Sequence, residues 1–165
     1  MSPRSSLLSA ALLLGCGGGV EQASPPSTTA TTITPRWARS TGDGANQIPW
    51  SVALDARGDV LVVGEFGGEL DLGARLTAPT GKVNGYVVKL GRDGTSRWAR
   101  RLGDDASAFT VAVGPDGHVH VGGWFGGTLE LEGRSLESAG ETDAYWLELD
   151  TDGKLLGAER FGDAG

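Results

Sequence analysis

The stretch Asp59–Leu72 reads DVLVVGEFGGELDL, and 59 residues later His118–Leu131 reads HVHVGGWFGGTLEL. Val60, Val62, Gly64, Phe66, Gly67, Gly68, Leu70 and Leu72 return as Val119, Val121, Gly123, Phe125, Gly126, Gly127, Leu129 and Leu131. Self-similarity at such a period marks a structural unit written twice. Within the unit the apolar residues fall at every second position, the spacing that puts them on one face of a β-strand.

The offset extends outward in both directions. Upstream, Val52-Ala53-Leu54 matches Val111-Ala112-Val113, and Trp37-Ala38-Arg39 returns as Trp98-Ala99-Arg100 with the spacing drifted by two residues in the loop. Downstream, Gly81, Tyr86, Leu90, Asp93 and Gly94 match Gly140, Tyr145, Leu149, Asp152 and Gly153. Ala158, Arg160, Gly162 and Asp163 then echo Ala99, Arg101, Gly103 and Asp104. The first unit is expected to hold strands at 50–55, 59–66, 85–90 and about 98–102, and the second at 109–113, 118–125 and 144–149. Turns fall at Ala56-Arg57-Gly58, Arg92-Asp93-Gly94, Pro115-Asp116-Gly117 and Thr151-Asp152-Gly153. Gly accepts a positive φ there, and an Asp side chain bonds to nearby backbone. No stretch carries a helical apolar stripe of useful length.

Four antiparallel strands in a unit of this size is the plan of a propeller blade. The expected fold is all-β: two four-stranded antiparallel propeller-type blades, an incomplete β-propeller, with repeats at 37–97 and 98–156 and the start of a truncated third at 157–165. The pattern V-A-V, V-x-V-x-G-x-F-x-G-x-L, a Tyr-containing strand, D-G, then W-A-R and G-D resembles the bacterial β-propeller repeat of the SBBP type. That resemblance covers about residues 37–165 and implies a secreted or surface protein. It says little about activity, because propellers host many functions. A closed propeller takes typically four to eight blades. Two blades bury one shared interface and leave two outer faces uncovered, so a fragment of a longer parent or a self-associating protein is expected.

The first residues read as an address. Arg4 precedes an apolar run from Leu7 to Leu14, too short for a permanent span of about 20 residues but shaped like a secretory signal. Leu13-Leu14-Gly15-Cys16 looks like a bacterial lipobox. The resemblance implies a signal peptide at 1–15, cleavage before Cys16, and a lipid on Cys16. Two or three acyl chains would hold the protein firmly to a membrane. Gly17, where Asp would imply inner-membrane retention, favours the outer membrane by the same resemblance. Cys16 is the only cysteine, so no intrachain disulfide can form. Residues 16–36 are rich in Gly, Ser, Thr and Pro and read as a disordered tether.

The net charge of −7 repels phosphate backbones and weighs against a nucleic-acid partner. Glycine, at 28 residues, exceeds its usual share without a collagen period and is expected to mark turns. His118 and His120 stand at i and i+2 on one strand and share a side. With no cysteine and no third histidine beside them, they are read as ordinary strand residues, and neither a metal nor any other cofactor is expected. Asp150-Thr151-Asp152-Gly153 lacks the spacing and terminal Glu of an EF-hand loop and is read as a turn.

Asp43, Asp104, Asp105 and Asp163 recur after the fourth-strand position and would line one rim, where a ring of carboxylates suits a cation or a sugar. Loop capping is the plainer reading, since a catalytic group is seldom needed once per blade. Trp124 and Trp146 replace Glu65 and Val87 of the first copy, and with Tyr145 they make a candidate carbohydrate platform. Asp43, Asp104, Asp105, Trp124 and Trp146 are therefore the candidate ligand rim. No nucleophile-elbow serine or phosphate-cradling loop is present in the sequence, and no catalytic residue is assigned.

The expected function is that of a lipid-anchored protein of the bacterial cell envelope, at the outer membrane or cell surface. It would be a non-enzymatic binding or interaction scaffold for an unknown protein or carbohydrate. The alternatives are a fragment of a larger propeller enzyme, carbohydrate-active or lyase type, and a non-functional truncated gene product.

Overall fold

The computed structural model describes residues 36–164, so the signal, Cys16 and nearly all of the tether lie outside the described residues. Ten strands follow in order: β1 (Gln47–Leu54), β2 (Val60–Phe66), β3 (Glu69–Asp71), β4 (Arg75–Thr77), β5 (Asn84–Leu90), β6 (Ser96–Asp104), β7 (Ala106–Val113), β8 (Val119–Leu131), β9 (Arg134–Leu149) and β10 (Leu155–Phe161). No helix occurs among the described residues. One open sheet has the order β1-β2-β5-β6, the second β10-β9-β8-β7, and β3 pairs with β4 in a small hairpin. Every pairing is antiparallel.

The two sheets repeat each other down to their irregularities. A register shift at Trp50 in β1 recurs at Phe109 in β7. The two bulge residues meet edge to face at 5.4 Å, and both are about half exposed. Gly58, Gly94, Gly117 and Gly153 close the four hairpin turns with φ between 78° and 86°, a range that side chains resist. Residues 157–161, which echo the start of a unit in the sequence, lie in β10 and complete the second sheet.

The copies differ in the long excursion. In the second, β8 and β9 run on together to a two-residue turn at Glu132-Gly133, with φ of 30° and 84°. Positive φ at both central residues matches the right-handed twist of a hairpin. In the first, the corresponding residues separate as β3–β4. Pro79 stands where the second copy has Ser138, and proline has no N–H to donate to a ladder.

Each sheet has one face built around a tyrosine. In the first it carries Val60, Val62, Phe66, Tyr86, Val88 and Leu90; in the second, Val119, Val121, Phe125, Tyr145, Leu147 and Leu149. The Tyr face of the second sheet packs on the opposite face of the first, where Leu61, Val63 and Val87 are fully buried. Burying each such side chain contributes roughly 1.5–3 kcal/mol. The Tyr face of the first sheet carries its own cluster, completed by Trp37, Leu70, Leu72 and Leu76. A single residue, Asp105 with φ 52°, joins β6 of one sheet to β7 of the next.

Tryptophan fastens the turn ends in both copies. Trp98 Nε1 donates to the Thr151 carbonyl at 3.1 Å and its ring covers Gly153, where a Cβ would lie 2.7 Å from the indole. Trp37 Nε1 donates to the Arg92 carbonyl at 3.0 Å and its ring covers Gly94 in the same way.

Candidate functional site

The rim aspartates gather at the strand ends opposite the tight turns, but they are engaged in different ways. The Asp43 carboxylate accepts from the amides of Ala45 and Glu69, both at 2.8 Å, and from Gln47 Nε2 at 2.9 Å. Those amides, Ala45 foremost, hold its pKa below the ordinary value. Asp104 pairs with Arg101, whose guanidinium also reaches Asn84 Oδ1 at 2.6 Å. Asp105 is exposed, and its backbone carbonyl accepts from Gly126 N–H at 2.9 Å. Asp143, which the sequence did not single out, is buried and accepts from Ala139 N–H and Arg160 at 2.8 and 2.7 Å. It stands in the second copy where Asn84 stands in the first, so an arginine on the fourth strand grips the third strand's start in both.

The aromatic residues divide between two faces. Trp124 is directly opposite Ala144 and Trp146 directly opposite Gly122, so both tryptophans share the outer face of the second sheet. Tyr145 points the other way, is buried, and donates to the Ser107 carbonyl at 3.1 Å. It therefore does not join Trp124 and Trp146 in a platform. Trp146 instead stacks on His120, with ring centres 5.6 Å apart and planes 14° from parallel.

At the turn end an open groove of about 770 Å³ runs along the junction of the sheets. Arg57, Arg92 and Arg97 line it together with Asp93, Asp152 and the half-buried ring of Trp98. Its charges are mixed, and it offers hydrogen bonds of both senses beside one aromatic surface.

On the outer face of the second sheet, next to that end, three groups converge that the sequence did not bring together. His118 Nδ1 lies 2.8 Å from Glu148 Oε1 and 3.2 Å from Asp116 Oδ2. The turn at 114–118 presents Asp116, whose Oδ1 accepts from His118 N–H at 3.1 Å. The β8–β9 register sets His120 opposite Glu148. The signal available in the sequence was a concerted exchange between copies. Arg57, Asp59, Leu61 and Lys89 of the first are Asp116, His118, His120 and Glu148 of the second.

The Glu148 hydrogen bond, helped by the charges of Asp116, Glu148 and Asp150, raises the His118 pKa above its ordinary 6.5. A histidine whose folded pKa is raised adds stability that is present in full below about 6.5 and disappears as pH rises through the folded value. In an NMR titration the His118 ring should therefore show a midpoint above 6.5, and Glu148→Gln should lower it. An unshifted midpoint in both proteins would mean that the carboxylates do not face the ring in solution.

Comparison of the sequence with protein-family models and with curated proteins finds no match.

Proposed function

We propose that the chain is a lipid-anchored, non-catalytic scaffold of the bacterial cell surface whose two sheets are propeller-type blades, and that it works by pairing its outer faces with a further blade. Lipidation at Cys16 and the envelope location rest on the sequence resemblance alone. The blade reading is supported by the one-residue passage from β6 into β7, the Tyr face of one sheet lying on the opposite face of the other, and the matched bulges at Trp50 and Phe109.

The observation that carries the pairing is an inequality between equivalent residues. Val111 is 7% exposed because the first sheet covers it, whereas its counterpart Val52 is 65% exposed and the neighbouring Leu54 66%. The same apolar strand surface is thus presented twice and covered once. Contiguous exposed apolar surface of this kind marks an interaction site more often than an idle patch. Its natural occupant is the opposite face of another such sheet, supplied by a second copy of the chain. A head-to-tail contact of this type builds rings when the rotation closes and open stacks when it does not.

Size-exclusion chromatography with light scattering should show the full chain as a dimer or larger assembly at micromolar concentration. Val52→Asp/Leu54→Asp should return it to monomer without loss of the β-sheet circular dichroism signal. A unsubstituted chain that is monomeric and melts cooperatively would contradict pairing through this face.

A further inference from the structure

We propose that Asp116, His118, His120 and Glu148 form a binding site for one divalent transition-metal ion of the zinc type on the outer face of the second sheet.

Three donors are already in place: one oxygen each from Asp116 and Glu148 and a ring nitrogen of His118 all lie within 4.8 Å of one another. Zinc bonds to nitrogen and oxygen are about 2.0–2.2 Å, so the edges of a tetrahedral site are roughly 3.3–3.5 Å. The 2.8 and 3.2 Å separations around His118 Nδ1 need open by only a few tenths of an ångström. Binding takes the proton from Nδ1, as imidazole must be neutral to ligate.

His120 is a further donor on the same face, and its ring must move toward the other three to complete the shell. Gly114 opens the turn, and a Cβ built there would sit 2.5 Å from Asp116 Oδ1 and 3.3 Å from His120 Nε2. Asp116 and His120 thus both approach residue 114, and the Asp116 carboxylate lies too close for a side chain there unless it turns away. The backbone at Gly114 does not have the positive φ that would call for glycine. Its Trp146 stack fixes the plane of the His120 ring.

The donor set belongs to the second copy alone. The turn glycines, the Trp-on-Gly contacts and the bulges recur in both sheets. The cluster does not recur: its counterparts are Arg57, Asp59, Leu61 and Lys89, and position 114 is Asp55. Two cations and a leucine cannot ligate a metal. Imidazole with carboxylate is the donor set of zinc and its neighbours, whereas calcium and magnesium favour all-oxygen shells.

The test is isothermal titration calorimetry of the full chain carrying Cys16→Ser, so that its thiol does not compete for the ion, and Val52→Asp/Leu54→Asp, so that pairing between copies does not cover the outer face. Zinc chloride should bind at one equivalent per chain, with calcium chloride giving no comparable heat. His118→Ala and Glu148→Gln should each weaken binding at least about tenfold. Gly114→Ala keeps every donor but displaces the Asp116 carboxylate, and should weaken binding as well. Independently of any variant at the site, zinc should move the ring-proton NMR resonances of both histidines, His118 and His120, the only two in the chain. Absence of saturable zinc heat, affinity that survives the His118→Ala/Glu148→Gln double substitution, or histidine resonances indifferent to zinc would each overturn the assignment.

Discussion

Phe125→Ala is expected to reduce the free energy of unfolding by about 4 kcal/mol, read from urea denaturation. Phe125 has no solvent exposure and lies in the cluster that joins the two sheets, with Leu61 and Val63 on the facing surface. Its ring meets Tyr145 edge on, with centres 6.2 Å apart and planes 63° from parallel. Removing it forfeits the transfer free energy of the ring and leaves a cavity that the surrounding strands cannot fill. Gly123 holds the backbone close at that point, since a Cβ there would overlap the Ser107 carbonyl oxygen. Domains have only about 5–15 kcal/mol in total, so the variant should be marginal at 37 °C. Phe161→Ala is the comparison: Phe161 is 55% exposed, and its loss should change stability by less than about 1 kcal/mol. Equal effects from the two substitutions would mean that the sheets do not pack as described.

Lys89→Ala should lower stability by about 3 kcal/mol. Lys89 Nζ lies 2.9 Å from Asp55 Oδ2, with the two side chains 5% and 7% exposed. Burial acts to raise the Asp55 pKa, but the Lys89 hydrogen bond, the Asp59 amide and the Lys89 charge together outweigh it, and the value falls below 3.8. Truncating the lysine leaves that carboxylate buried with no counter-charge, which is more damaging than never having had the pair. Lys89→Met/Asp55→Asn should therefore recover much of the loss, because neither buried group is then charged. The pH dependence has a definite sign. A depressed carboxylate adds stability above its unfolded value of about 3.8 that is lost as pH falls through the folded one. The acid limb of the stability curve should accordingly flatten in Lys89→Ala. If the single and double variants are equally unstable, the ion pair is not what Lys89 contributes.

Much of this architecture can be read from period and alternation. The strands expected at 59–66, 85–90, 118–125 and 144–149 lie within a residue of β2, β5 and the corresponding parts of β8 and β9. Turn glycines and inward apolar residues leave little choice there, since a one-residue slip would turn the whole apolar set to water. The excursion after Phe66 was less legible, because Leu70 and Leu72 of the first copy match Leu129 and Leu131 of the second, yet one hairpin stands apart and the other continues its parent strands. β1 begins three residues before the expected Trp50, because the bulge at that residue hides the alternation on which the reading depended.

The polar groups were harder still. His118 and His120 could be placed on one side of a strand from spacing alone. Glu148 is 30 residues away, and only the β8–β9 register shows that it faces them. The Lys89–Asp55 pair is hidden for the same reason: burial of a lysine is decided by the neighbouring sheet. Tyr145 and Trp146, adjacent in sequence, point to opposite faces of the second sheet, one buried against the first sheet and one outward, which no composition-level argument for an aromatic platform could respect.

Asp105 alone spans the passage between the sheets. With no linker at that point, the pitch from one module to the next is set by the dihedral angles of a single residue. Duplicating the coding segment would then duplicate the stacking angle with it, and an array could lengthen by whole modules without any new joint having to evolve.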